Sequence, residues 1–337
     1  MLKRLLLIGS FFGSFLFPVL LNALTFTLPS SGNDIIGQIQ YVHSEKGENI
    51  YDVARKYDIG FYEMIEANPG INRHSPIAPE ETITIPTEYI LPNVQRTGIV
   101  INLPELRLYY YPTGQNIVVT EPIAIGRYDW LTPTLETAII EKIKNPYWHV
   151  PKTIKAAAAK KGIYWPDVVP PGPKNPLGSY ALRLGKREYL IHGTNNPTSI
   201  GKRASSGCMR MYPESIEALF NLVPIGTTVK IVNEFYKVGW NNGVLYLEIH
   251  EPLQELAQSK IEQTSLITNT IDQVTAGSNA HIDWSVVNKE IERPSGIPIP
   301  ISSQVSGSTQ SYIEAAQPSN STTPEEEPVH EQEGYSY

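Results

Sequence analysis

Between Gly98 and Glu251 the chain passes through eight short apolar stretches bounded by turn residues, and this succession restricts the fold more than any other feature. Runs of this length, rich in β-branched and aromatic residues, read as strands. They are Gly98–Asn102, Leu106–Tyr111, Val118–Ile125, Ala138–Ile143, Ala181–Leu184, Tyr189–His192, Thr228–Val232 and Val244–Ile249. Leu103-Pro104-Glu105 joins the first two as a hairpin. Two helices interrupt the series. Ile154–Lys161 carries an alanine run, and Pro213–Leu222 places Pro at a favoured first-turn position with Ile216, Leu219 and Phe220 on one face. Many strands with few helices predict an α+β, sheet-dominated, β-sandwich-like domain. The Pro- and Gly-rich stretch from Pro170 to Gly178 is a long loop of the kind that often serves a site.

A smaller unit precedes it. Over residues 38–87 a strand Gln38–His43 leads into a helix that Asn49 caps, with Asp52 in the reciprocal position of a capping box. Ile50, Val53, Ala54 and Tyr57 form one apolar stripe, and Phe61, Met64 and Ile65 a second that ends at Asn68-Pro69-Gly70. Thr82–Pro86 closes a βααβ order.

The two ends differ from these domains. Residues 1–23 read as a secretory signal peptide: Lys3 and Arg4 precede the apolar stretch Leu5–Leu21, and Ala23 is the expected last residue before cleavage. An uncleaved inner-membrane anchor is the alternative, with a stretch near the short end of the ~17–25 residues that cross a bilayer. Residues 262–337 hold eleven acidic and two basic residues and few apolar ones, so they read as an acidic Ser/Pro-rich tail without a core, expected to be disordered. The tail accounts for the net charge of −7, and without it the chain has 25 basic and 23 acidic residues. No basic stripe points to nucleic acid.

Cys208 is the only cysteine, so it has no intramolecular disulfide partner. It follows His192 by sixteen residues, in a Ser-Ser-Gly-Cys run that reads as a turn and presents the side chain. An exported protein keeps such a thiol without penalty when the thiol has a task. A thiolate is a strong nucleophile and an imidazole can generate it. The remaining histidines, His43, His74, His149, His250, His281 and His330, are not paired at metal-ligand spacing, so neither a metal nor a cofactor is expected. The order of His before Cys disfavours a papain-like protease.

The segments GIVINLPELRLYYY, NPYWHVP, GPKNPLGSYALRL and IHGTNNPTSIGKRASSGCMRM resemble the L,D-transpeptidase family of the YkuD type. Its His-Gly followed by Ser-x-Gly-Cys-x-Arg is complete here, and it places a catalytic domain at residues 97–235 closed by a C-terminal strand at 236–253. YVHSEKGENIYDVARKYDI, MIEANPGI and ITIP resemble the LysM domain, a carbohydrate-binding module. Together they resemble the periplasmic Gram-negative branch, over roughly residues 33–253.

The resemblance implies a reaction on peptidoglycan stem peptides. Cys208 would attack the meso-diaminopimelate carbonyl, release D-alanine and form a thioester that an amine resolves. His192 would be the base, with its tautomer held by the Gly193 carbonyl. The Gly207–Cys208 turn would supply oxyanion donors, beside Ser206 and Arg210. Arg210 would either hold a substrate carboxylate or brace the loop as an ion partner, with bracing preferred. Tyr180, Asn175 and Trp148 are candidates for the cleft, or packing and turn residues. The acceptor is left open between a second stem, a lysine of an outer-membrane lipoprotein and water, and a non-catalytic wall-binding protein is the reading from another class. The LysM-like unit implies affinity for peptidoglycan glycan, or a spacer that has lost it. This chain departs from the family pattern at Ser206, where many members have His, and at Thr132-Pro133-Thr134-Leu135, where Thr-Pro-x-Gly is usual. In the LysM-like unit, Pro79-Glu80-Glu81 stands where a Gly is usual.

Overall fold

A computed structural model describes residues 24–186 and 188–304. The expected signal peptide and residues 305–337 lie outside the described residues.

The catalytic region is built on one nine-stranded mixed sheet. In spatial order its strands are Leu24–Thr27, Ile117–Pro122, Arg107–Tyr111, Gly98–Asn102, Thr228–Val232, Leu135–Lys144, Tyr180–Leu184, Leu190–His192 and Met209–Arg210. Neighbours are antiparallel except at two places, Gly98–Asn102 with Thr228–Val232 and Leu190–His192 with Met209–Arg210. The ten-residue strand Leu135–Lys144 serves two partners. Its first part pairs with Thr228–Val232, and from Ile139 onward it pairs with Tyr180–Leu184, with an irregularity between Ile139 and Glu141. Such a bulge bends a strand and lets one sheet curl. Alternation along the strands gives the sheet two apolar faces. Ile99, Ile101, Leu108, Val119 and Leu182 pack on one side with Ile216 and Leu219 of helix Pro213–Leu222. Val100, Tyr109, Tyr111 and Val118 pack on the other, with Ile36, Tyr89 and Leu91.

The first unit is βααβ, as its stripes predict. Strands Gln40–His43 and Thr82–Ile85 pair antiparallel around helices Ile50–Lys56 and Phe61–Ala67. The Asn49 side chain accepts from the Tyr51 and Asp52 amides, and Asp52 accepts from the Asn49 amide, which closes the capping box. Ile50, Val53, Ile59, Met64, Ile83 and Ile85 form its core.

This unit is docked on the catalytic sheet. Arg107 is 0 % exposed, and its guanidinium grips Glu63 with two parallel bonds, Nε to Oε1 at 2.9 Å and Nη2 to Oε2 at 3.0 Å. Glu63 also accepts the Gly60 amide at the start of its own helix, and Arg107 lies over the Tyr89 ring. Beside this pair the carboxyls of Asp58 and Glu121 are buried within reach of each other's charge. Burial pushes Asp58 up to about 6, and burial with the Asp58 charge pushes Glu121 well above the usual carboxylate value. The backbones meet at Gly60 and Gly201, where the Tyr62 amide donates to the Gly201 carbonyl. A Cβ on Gly201 would lie 2.0 Å from the Phe61 nitrogen, so the contact requires glycine.

Two boundaries are corrected at the C-terminal side. Residues 236–253 do not close the catalytic sheet. Tyr236–Asn241 and Val244–Ile249 form a hairpin that pairs with Ile299–Pro300 in a separate three-stranded sheet. Residues 262–304 do not belong to a disordered tail: helices Lys260–Thr275 and Trp284–Glu292 cover that sheet. Each helix buries one narrow stripe, Ile267 with Ile271 and Val287 with Ile291, against Leu245, Leu247, Ile249 and Ile301. Only two apolar residues per helix are in that buried core, spaced among polar ones, so composition conceals them. Asp283 and Ser259 cap their N-termini. A buried ionic network ties this unit to the others. The Lys237 ammonium lies 3.0 Å from Glu105 and 2.7 Å from Glu248, and His250 lies between Glu248 and Glu66. Burial alone would lower the His250 pKa, but the hydrogen bonds to Glu248 and Glu66 lift it to about 10, so the imidazole is charged at neutral pH. Among the described residues no helix is long and apolar enough to cross a membrane.

Breaking a buried ion pair from one side strands a charge and costs roughly 3–5 kcal/mol, whereas removing both partners costs less. Glu63→Leu is therefore expected to lower unfolding stability in urea by about that amount, and Glu63→Leu with Arg107→Leu by less. A single-variant loss of under about 1 kcal/mol would remove the pair from any role in docking.

Candidate active site

The site forms where two strands from distant parts of the chain run side by side. Leu190–His192 and Met209–Arg210 are parallel, with Ile191 opposite Met209 and His192 opposite Arg210. Paired residues share a face of a sheet, and so do residues two apart on one strand. His192, Arg210 and the preceding Cys208 are thus brought to one face, with Ile191 and Met209 turned into the core. Helix Pro213–Leu222 follows at once and seals that core below the site.

The nucleophile turn is built from hydroxyl contacts. Gly207 has φ +106°, a backbone region that L side chains rarely adopt. The Ser205 hydroxyl accepts the Gly207 amide at 3.1 Å and donates to the Cys208 carbonyl at 2.5 Å. The Gly207 N–H, expected as an oxyanion donor, is therefore committed inside the turn. Ser206 is half-buried at the same turn. The Cys208 thiol is half-buried, 3.7 Å from the Glu188 carbonyl. Burial pushes its pKa up from 9.0, against the Leu190 amide and the Arg210 charge, which favour the thiolate.

His192 is 3 % exposed, and its Nδ1 lies 2.6 Å from the Gly193 carbonyl. A carbonyl only accepts, so Nδ1 carries the proton and Nε2 keeps its lone pair. Burial first, and then the Arg210 charge, lower the His192 pKa to about 3, against the carbonyls of Gly193 and Leu177. At neutral pH both imidazole and thiol are uncharged.

Arg210 stands opposite His192 in the pairing of the two strands. Its Nε is buried with no hydrogen-bond partner among the described residues, and burial and then the neighbouring Arg127 destabilise its charge. A guanidinium held this way beside the thiol is suited to receive an anion.

The three cleft candidates have structural contacts. Asn175 is 0 % exposed, donates to the Pro146, Val169 and Pro170 carbonyls and accepts the Leu177 amide. It thereby pins the base of the excursion that carries helix Lys152–Ala159. The Tyr180 hydroxyl donates to Glu217 at 2.5 Å and its ring packs on Phe220. Trp148 sits edge-on to Trp165 in that excursion, 5.0 Å between ring centroids. Thr132, which the sequence offers only as part of Thr132-Pro133-Thr134-Leu135, contacts the Gly207 carbonyl across 75 positions, a tie that leaves no local signal. Glu105, Glu248 and His250 bring metal-ligand atoms within 4.8 Å of one another, but the Lys237 ammonium lies among them and supplies the positive charge there.

Comparison with known proteins agrees with this architecture. An L,D-transpeptidase catalytic domain matches residues 96–231, an L,D-transpeptidase C-terminal domain residues 240–301, and a LysM domain residues 45–86. The chain belongs to the L,D-transpeptidase family. It is 38 % identical over 286 residues to the probable L,D-transpeptidase YcfS of Escherichia coli, covering 83 % of this chain and 89 % of that protein. It is also 38 % identical to the probable L,D-transpeptidase YbiS of the same organism, covering 82 % of this chain and 92 % of that protein. To the probable L,D-transpeptidase ErfK/SrfK of Salmonella typhimurium it is 37 % identical, covering 83 % and 92 %.

A thiol that burial keeps neutral makes a specific prediction. Alkylation of Cys208 by iodoacetamide, followed by intact mass, should rise about tenfold per pH unit from pH 6 towards 9, following the thiolate fraction. A plateau below pH 7 would instead report a preformed thiolate–imidazolium pair.

Proposed function

We propose that the protein is a cysteine-dependent acyltransferase acting on peptidoglycan stem peptides in the periplasm. The observation that carries this reading is the Nδ1 of His192 held by the Gly193 carbonyl, on the face that also bears Cys208 and Arg210. Nε2 takes the thiol proton as sulfur attacks the meso-diaminopimelate carbonyl of a tetrapeptide stem. The tetrahedral intermediate collapses, the imidazolium returns the proton to the leaving D-alanine amine, and a thioester remains. An acceptor amine then attacks it, His192 accepts the amine proton, and sulfur leaves to give a new amide. Because the thiol is neutral at rest, proton removal accompanies attack instead of preceding it.

Arg210 receives either the oxyanion or a substrate carboxylate with its unpartnered Nε. The LysM unit holds glycan next to the same enzyme body. A second stem or a lysine of an outer-membrane lipoprotein provides the amine, and with water in its place the same thioester gives a shortened stem.

The test is incubation of the purified protein with disaccharide tetrapeptides, read by mass spectrometry. Dimers joined between third residues, with loss of D-alanine, are the expected products. Cys208→Ala should abolish them, a fall of roughly 10³-fold or more. Products that persist in that variant refute the nucleophile, and shortened stems alone assign a carboxypeptidase.

A further inference from the structure

The carbonyl of Gly207 is held by a side chain from a different part of the sheet. The Thr132 hydroxyl donates to it at 2.8 Å and accepts the Gly126 amide at 2.9 Å. An amide N–H can only donate and a carbonyl only accept, so the single hydroxyl proton has one possible direction. Thr132 is 6 % exposed and lies at the end of a tight loop. That loop is built to reach the turn. A Cβ on Gly126 would lie 2.0 Å from the Trp130 carbonyl, and one on Gly207 would lie 3.3 Å from the Leu131 carbonyl and 3.1 Å from the Tyr189 ring. The nucleophile turn is thus confined between the Thr132 loop and Tyr189.

The consequence follows from peptide geometry. There is no cis peptide bond among the described residues, so the Gly207–Cys208 peptide is trans and planar. In such a unit the N–H of Cys208 points opposite to the carbonyl of Gly207. Fixing one fixes the other. The Gly207 N–H is already taken by Ser205, which leaves the Cys208 N–H as the donor of this peptide that can serve the reaction.

We propose that Thr132 is a positioning residue: by holding the Gly207 carbonyl it aims the Cys208 N–H at the oxyanion formed when the thiol attacks. The inference rests on the acyl-transfer reading above and assigns Thr132 no contact with substrate. An N–H held in place before the reaction stabilises developing charge without reorganising during it.

The experiment compares wild type, T132V, T132S and C208A on disaccharide tetrapeptide, with kcat and KM measured alongside the rate of iodoacetamide alkylation of Cys208. Alkylation occurs at a saturated carbon and forms no oxyanion, so it reports the thiol alone. T132V should lower kcat by about 10²-fold, in the range of a lost oxyanion donor, with KM changed by less than about threefold. Its alkylation rate should stay at the wild-type value, and T132S should recover most of the kcat. If T132V does not fold, T132A carries the same prediction. An unimpaired kcat in T132V, a loss confined to KM, a fall in alkylation in step with kcat, or a T132S as defective as T132V would each overturn the role of Thr132. Activity that survives in C208A would instead remove the acyl-transfer reading and this inference with it.

Discussion

The pair between Arg107 and Glu63 is the contact on which the rest of the molecule depends. Arg107 opens the third strand of the catalytic sheet, fully buried, where an unpaired guanidinium could not be tolerated. Its counter-charge comes from another unit, on the first turn of helix Phe61–Ala67. The catalytic sheet therefore completes its own interior only with the LysM unit in place. The same helix start brings Gly60 against Gly201, on the connection between His192 and Cys208. Lys202, next in line, lies 4.0 Å over both the Tyr51 and the Phe61 rings. The segment that carries the chain from His192 to Cys208 is held from outside by the LysM unit.

The site itself depends less on charge than on fixed direction. Imidazole and thiol are both neutral at rest, and each is oriented by a backbone or hydroxyl group. Gly193 and Leu177 orient the ring, and Ser205 and Thr132 orient the turn. The Arg210 charge acts on both imidazole and thiol, and its proximity is part of what keeps His192 unprotonated. The arrangement disfavours a stored ion pair between the two.

Much of this was legible in the residues and some was not, for physical reasons. The apolar runs Gly98–Asn102 and Thr228–Val232 are strands as read, because buried strands leave continuous hydrophobic stretches. Asn49 with Asp52, and Pro213, signalled helix starts through local chemistry that the structure reproduces. The helix read at Ile154–Lys161 lies at Lys152–Ala159, a shift that exposed residues permit because no burial pins the register. Strand Tyr236–Asn241 escaped notice because Lys237, Gly239 and Asn241 break its apolar pattern, and Lys237 is buried by carboxylates instead of hydrocarbon. Tyr180 and Asn175 looked like cleft residues because aromatic and amide side chains have the same letter whether they face a substrate or a carbonyl. Cys208, His192 and Arg210 were readable as a motif. Thr132 was readable only as part of Thr132-Pro133-Thr134-Leu135, and its tie to Gly207 emerges only in the fold.

The contacts of Glu66 with His250 join residues 184 positions apart, and Asp34 receives the amide of Trp240 across 206. The module made first is thus completed by strands made near the end. Closing such long loops must precede the interactions that reward it, which slows folding. A chain paused after its first hundred residues holds Glu63, Glu66 and Asp34 without Arg107, His250 or Trp240. Its early module can gain its final stability only after residues 236–250 have been delivered, so acquisition of the native state waits for the hairpin of Tyr236–Asn241 and Val244–Ile249.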